Sequence, residues 1–267
     1  MKIFGFQFCI AWEDPQANFA RVGAMARDAG PPPGSLLILP EMFATGFSMN
    51  TDKIAEDEGG PTHAFLAALA AEHECWVAGG APIRGKDGNI RNSALVFSPG
   101  GKIATCYSKM RLFRPGNETE HYCAGETPCV FNCGPALAAP FICYDLRFPE
   151  LFREAARQWQ PHLYIVMASW PSQRIAHWIR LLQARAIENQ AFIAGINRTG
   201  PDLFHEYCGR SLIADFHGEI VADAGTVENV ISAELDFNAL AQYRTALPFL
   251  RDLQEVSPGT PKTNSGT

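Results

Sequence analysis

The stretch Ala139–Glu150, APFICYDLRFPE, decides how the chain is read. It opens with small and apolar residues, as the last part of a buried strand does. Cys143 stands where the pattern turns polar, and Arg147, Pro149 and Glu150 lead into a helix. The thiol therefore sits at a strand-to-helix corner. Backbone N–H groups and the positive end of a helix lower a thiol's pKa there and favour the thiolate, the form that attacks carbon. The competing reading is an inert core cysteine, because free Cys usually behaves as a small hydrophobe.

Working outward, 267 residues suffice for one large α/β domain with a sizeable core. No repeat or linker divides the body, so 1–256 reads as a single domain. The polar, Pro- and Gly-rich 257–267 reads as a disordered tail. A net charge of −6 without any run of Lys or Arg argues against nucleic acid. The apolar start MKIFGFQFCIAW reaches Glu13 and Asp14 without a small-residue cleavage site, so it reads as a first strand, not a signal peptide. No apolar run is long enough to span a bilayer. The eight cysteines form no CxxC pair and no zinc-type spacing, which points to free thiols in a reducing cytoplasm.

Along the chain, strands are expected at 3–10, 35–39 and 75–83, with helices at 15–29 and from Pro61 to about Glu74. Asp14-Pro15 is a helix start, an N-cap followed by proline at the first helical position. Lys86-Asp87-Gly88-Asn89 turns a hairpin into Asn92–Phe97, and Lys102–Tyr107 follows. Ser108–Asn132 has little periodicity, and a loop that long inside a compact domain is usually functional or mobile. Then come a helix over 150–158, a strand over 162–167 and the clearest helix, Arg174–Asn189, with Ile175, Trp178, Ile179, Leu182 and Ala186 on one face. A strand at 192–196, a loop to Cys208 and a terminal β meander over 210–235 complete the pattern. Alternating strands and helices with interspersed hairpins predict a four-layer α-β-β-α sandwich, two mixed sheets packed face to face.

Three ionisable residues share one setting. Glu41, Lys109 and Cys143 each follow a strand, and in α/β sheets ligand sites collect beyond the carboxyl ends of strands. Each has a bland alternative: a solvated acid, a surface charge grouped with Arg111 and Arg114, a core thiol.

The segments ILPEMFATGF, YSKMRLF and ICYDLRFPE resemble the Glu, Lys and Cys motifs of the nitrilase superfamily of carbon–nitrogen hydrolases, in that order. NETEHYCAGE, ASWPSQRIAHW and ARAIENQAFIAGINR extend the likeness to about residue 255. LPEMFATGF and CYDLRFPELFR together with SWP…HW look most like the bacterial omega-amidase branch. The resemblance implies hydrolysis of the distal amide of 2-oxo acid amides such as 2-oxoglutaramate and 2-oxosuccinamate, through a cysteinyl thioester. Cys143 would be the nucleophile and Glu41 the general base. Lys109 and the backbone N–H of Tyr144 would stabilise the oxyanion. Glu118 matches a second family glutamate, with a solvated loop acid as the alternative.

A bidentate Arg suits the substrate's free carboxylate, and Arg174 is the candidate. Trp170 and Phe47 are candidate pocket walls, while Arg147 and Glu150 read as structural, pairing or capping around the following helix. His63 and His177 lack a second ligand at metal spacing, so no metal and no organic cofactor is expected. A homodimer or higher assembly is implied, with 237–256 contributing. The alternatives are another superfamily amidase, an N-carbamoyl amine hydrolase and, more remotely, a non-catalytic interaction protein on the same fold.

Overall fold

The computed structural model describes residues 1–253. The expected tail, 257–267, and the last three residues of the expected domain lie outside the described residues. The first half runs β1 (Lys2–Gln7), α1 (Pro15–Ala29), β2 (Leu36–Ile38), α2 (Thr51–Ile54), β3 (Glu56–Asp57), α3 (Pro61–His73), β4 (Trp76–Arg84), β5 (Ile90–Phe97) and β6 (Ile103–Ser108). The second continues with α4 (Glu118–His121), β7 (Phe131–Cys133), β8 (Ala136–Ile142), α5 (Pro149–Trp159), β9 (Leu163–Ala168) and α6 (Ile175–Glu188). It ends with β10 (Phe192–Asn197), β11 (Thr199–Pro201), β12 (Glu206–Cys208), β13 (Leu212–Ala214), β14 (Ile220–Asp223), β15 (Asn229–Glu234) and α7 (Phe237–Ala246).

Two mixed sheets result, ordered β15-β1-β2-β4-β5-β6 and β14-β13-β10-β9-β8-β7. β1, β2 and β4 are parallel in the first, as are β8, β9 and β10 in the second, and antiparallel strands flank each trio. The period-2 alternation of strand side chains makes the layers. Leu36 and Ile38 face the second sheet in one core, where they join Ile165, Met167 and Ile196. Leu37 and Leu39 face the opposite way, against Val22 and Ala26 of α1 and Leu66 and Leu69 of α3. On the far side of the second sheet, α5 and α6 bury Phe152, Trp178 and Leu182. Trimming a fully buried Leu such as Leu182 to Ala would cost about 2–5 kcal/mol. The α-β-β-α sandwich follows from these faces. Gly5 lets the sheets touch: a Cβ there would lie 2.2 Å from Ile196 Cδ1.

The helix-start reading at Asp14 is met in detail, its carboxylate accepting from Ala17 N at 3.1 Å with Pro15 at the first position and Gly30 left-handed at the far end. Three expectations need correction. The terminal strands are not one meander. β13 and β14 extend the second sheet, whereas β15 crosses to pair with β1, because its Ile231 is buried between the two sheets. The loop expected before Cys208 contains the hairpin β11–β12, stapled at its tip by Asp202, which accepts from Phe204 N, His205 N and the Tyr207 hydroxyl. Within 108–132, α4 forms a single turn and β7 begins at Phe131.

Candidate active site

Glu41, Lys109 and Cys143 all lie just past strand ends on one edge of the sandwich. β2 ends at Ile38, and Leu39 N donates to Ala78 O, which carries Pro40 and Glu41 across β4. Gly80 permits that approach: a Cβ on it would lie 2.6 Å from Met42 N and 2.9 Å from Glu41 Cα. Lys109 leaves β6 pinned by its own N–H to Asn92 O at 2.8 Å. Cys143 follows β8 directly, with φ +45°, and opens a five-residue 3-10 turn, Cys143–Arg147. Asp145 locks this turn. Its buried carboxylate accepts from Ile142 N, the Tyr107 hydroxyl and Arg111 N at 2.7–3.0 Å, tying the cysteine turn to the lysine segment across the two sheets. Burial pushes the Asp145 pKa up to about 6.

The charged groups form one buried knot. Lys109 Nζ donates to Glu41 Oε1 at 2.8 Å and to Glu118 Oε1 and Oε2 at 3.0 and 2.9 Å, and all three side chains are fully buried. Glu118, in the single turn of α4, also accepts from Phe113 N. Glu41 Oε2 accepts from Ser169 N at 2.9 Å, and the Cys143 thiol points to Ser169 O at 3.8 Å, so one peptide at the end of β9 touches both residues. The surface-cluster and solvated-acid alternatives for Lys109, Glu41 and Glu118 are thereby removed.

Electrostatics correct the reading of the thiol. Burial pushes the Cys143 pKa well above its ordinary value, the Glu41 carboxylate pushes it further, and Lys109 only partly opposes. Five residues of 3-10 turn supply little dipole, so these surroundings favour the thiol over the thiolate. For Lys109, burial disfavours the charge, but Glu118 and Glu41 outweigh it and raise its pKa, so it stays an ammonium. A protonated thiol beside a carboxylate and a fixed ammonium can perform base-assisted nucleophilic attack on a carbonyl.

These groups line a cavity of about 630 Å³. Its wall includes Phe47, whose ring lies 5.1 Å from Lys109 Nζ, and Trp170, held by Trp170 N to Asn197 Oδ1 at 2.8 Å and Trp170 Nε1 to Arg174 O at 2.9 Å. Tyr144 lines it too, its ring edge-on to Phe113 and Phe148. Arg174 is in the lining, over the Phe113 ring at 5.7 Å. Arg147 is there as well, stacked on Trp170 at 4.6 Å and 3.4 Å from His177 Nδ1. A purely structural Arg147 does not fit this placement. Its pKa is lowered, first by burial and then by Arg174, and among the described residues neither guanidinium has a carboxylate partner. Glu150 does keep to the surface, 3.6 Å from Arg111. His63 packs edge-on against Phe97, away from the cavity.

Several contributors escaped the sequence reading. Asn92 Nδ2 donates to Glu41 Oε1 at 2.7 Å and Glu118 Oε1 at 2.9 Å. Asn197 holds Trp170 through two hydrogen bonds and donates a third to Gly209 O, and Asp145 holds the cysteine turn. The available signal was polarity inside apolar strands: Asn92 in IRNSALVF and Asn197 ending FIAGIN are both fully buried. Among the described residues no group of three or more His, Cys, Asp or Glu side chains could hold a metal ion, and all eight cysteines are free.

Comparison with known proteins identifies the family. The carbon–nitrogen hydrolase family model matches residues 6–245. The chain is 32% identical to the 2-oxoglutaramate amidase of Bacillus subtilis, over 93% of this chain and 96% of that one. It is 35% identical to the omega-amidase YafV of Escherichia coli K12, over 96% and 97%. Among solved structures, a CN-hydrolase superfamily protein from Xanthomonas campestris with an arsenic adduct in its active site superposes with a TM-score of 0.89. It is 35% identical and the match covers 97% of this chain and 99% of that one.

Proposed function

The chain belongs to the carbon–nitrogen hydrolase family, and on that premise we propose that it is an omega-amidase. It would cleave the distal amide of 2-oxo acid amides, 2-oxoglutaramate and 2-oxosuccinamate being the type substrates. The observation that carries this reading is a division within one cavity: Cys143, Glu41 and Lys109 at its floor, with Glu118 behind Lys109, and in its wall two guanidiniums that have no acid partner among the described residues. The relatives named for omega-amidase and 2-oxoglutaramate amidase activity support it.

In this reading the substrate's carboxylate is held by Arg174 and Arg147, whose planar forks suit a carboxylate better than an ammonium would. Trp170, under the Arg147 guanidinium, fixes its plane. The amide carbon is thereby presented to Cys143 Sγ. Since the thiol is protonated at rest, attack and proton loss occur together, with Glu41 taking the proton. The developing oxyanion is met by Lys109 and by Tyr144 N–H, in the first turn after the cysteine, where helical geometry leaves N–H groups without partners. The C–N bond breaks as Glu41 returns the proton, releasing ammonia and leaving a thioester on Cys143. Glu41 then takes a proton from water, the hydroxide adds to the thioester, and the 2-oxo dicarboxylate leaves with the thiol restored. Glu118 shares the Lys109 charge and keeps the ammonium pointed at the developing oxyanion. Phe47 packs over the ammonium as the wall beside it.

Ammonia release tests the assignment, measured on 2-oxoglutaramate, 2-oxosuccinamate, plain aliphatic amides and N-carbamoyl amino acids. The expected order puts the 2-oxo acid amides first. Faster turnover of a carbamoyl compound would move the protein to the N-carbamoyl amine hydrolases, and no turnover of any would favour a non-catalytic role. The reading also includes a homodimer working in the cytoplasm. No helix among the described residues is long and apolar enough to cross a membrane, and light scattering on the purified chain measures the assembly.

A further inference from the structure

We propose that Asn92 is a positioning residue that keeps Glu41 available as the base, by bridging the two carboxylates with an uncharged donor. This rests on the reading of Glu41 as the base for Cys143. Asn92 is fully buried in the middle of the sandwich edge, and its one amide nitrogen reaches Glu41 Oε1 at 2.7 Å and Glu118 Oε1 at 2.9 Å. Both amide hydrogens are spent on carboxylates, and the Asn92 Oδ1 atom has no hydrogen-bond partner among the described residues. The opposite amide orientation would set Oδ1 against two carboxylate oxygens, so the donor assignment follows from the neighbours.

The need for such a donor is electrostatic. Two buried carboxylates face a single ammonium, and two carboxylates that share a site do not both ionise readily. Lys109 answers part of this. It gives one contact to Glu41 and two to Glu118. The other groups facing Glu41 add no positive charge. They are the Cys143 thiol, Ser169 N–H and Tyr122, whose hydroxyl is turned to Ser48 O at 2.7 Å and whose pKa burial and both glutamates raise. Asp145 lies beyond Lys109 and is negative when ionised. Asn92 is thus the donor, besides Lys109, that serves both carboxylates. It stabilises the ionised pair without adding a second cation, which would weaken Glu41 as the base for the Cys143 proton. Asn92 also fixes Lys109 directly, since its carbonyl accepts from Lys109 N at 2.8 Å. That bond is backbone and survives substitution of the side chain, so the side-chain role can be tested by itself.

The discriminating variant is Asn92→Asp, which keeps size and shape but replaces the shared donor by an oxygen. A third carboxylate this close changes the proton affinity of its neighbours by about 1–3 pH units. The acid limb of the kcat/KM profile for 2-oxoglutaramate should move up by at least about one unit, with the loss at neutral pH partly recovered at higher pH. Asn92→Ser, which keeps one donor, should move the limb less and covers the case in which the aspartate variant does not fold. KM should change little, because Asn92 is absent from the cavity lining. The closing experiment needs no amide substrate: iodoacetamide alkylation of the Cys143 peptide, followed by mass spectrometry across pH in wild type and both variants. An alkylation profile displaced to higher pH in the variants supports the proposal. Superimposable profiles with only a lowered amplitude, or with a lowered melting temperature alone, overturn it. If wild-type alkylation of Cys143 is unaffected by Glu41→Gln, the reading of Glu41 as base has failed instead, and the two failures are distinguished.

Discussion

The floor and the wall of the cavity are built on opposite rules. At the floor, Glu41 and Lys109, with Glu118 behind the lysine, are fully buried, and every charge has a hydrogen-bonded partner within 3.0 Å. In the wall, Arg147 and Arg174 are half-exposed, rest on aromatic rings and have no acid partner among the described residues. A buried charge without a partner costs several kcal/mol, so the floor can hold its ions only as a closed set. A half-exposed guanidinium is hydrated and tolerates waiting for an anion. In the proposed mechanism this difference corresponds to bond-making at the floor and choice of substrate at the wall.

Substitutions should separate the two. Cys143→Ala should abolish ammonia release, by on the order of 10⁴-fold or more, with little change in the urea unfolding midpoint. Lys109→Met should lower kcat by about 10²–10³-fold through loss of the oxyanion donor. It also leaves Glu41 and Glu118 without their cation, which should cost about 3–5 kcal/mol of stability at neutral pH. That deficit should shrink in acid as the carboxylates take up protons, which urea titrations at several pH values would detect.

Asp145 gives a prediction with a definite sign. Its folded-state pKa is raised to about 6 from an ordinary 3.8. Its contribution is therefore fully favourable below about pH 3.8 and is lost as pH rises through 6. The loss of stability on Asp145→Asn should accordingly be larger at pH 4 than at pH 7, by at most about 3 kcal/mol. A pH-independent difference would mean that Asp145 titrates normally. Smallest of all, Arg174→Ala or Arg147→Ala should raise KM for 2-oxoglutaramate by about 10–100-fold, the worth of a charge-assisted hydrogen bond, and leave kcat nearly unchanged. Neutral amides should feel neither change, and an equal loss on them would break the division between wall and floor.

The same division explains what could be read from the sequence. Glu41, Lys109, Glu118 and Cys143 stand in quotable motifs, and each of the three triad candidates follows a strand whose apolar run is plain. α1, α3 and α6 announce themselves by caps or by period. Asn92 does not, because one polar residue in an alternating strand reads as solvent-facing. It becomes part of the site only when β4, β5 and the Glu41 turn are brought together. Arg147 looks like a helix-flanking cation until Trp170, 23 positions along the chain, is seen beneath it. The destination of β15 was hidden for a related reason: local alternation marks a strand but not its partner. The direction of the Cys143 shift was misread because a strand-to-helix corner suggests donors, while burial and Glu41 dominate at short range.

The central claim is that Cys143 carries the acyl group between the release of ammonia and the entry of water. Acid quenching during steady-state turnover of 2-oxoglutaramate, followed by peptide mass spectrometry, tests it most directly. The account predicts an oxo-acyl mass increment on the Cys143 peptide that disappears when the amide is exhausted and is missing in Cys143→Ala. Full turnover with an unmodified Cys143 peptide, or ammonia release by Cys143→Ala at the wild-type rate, would contradict it.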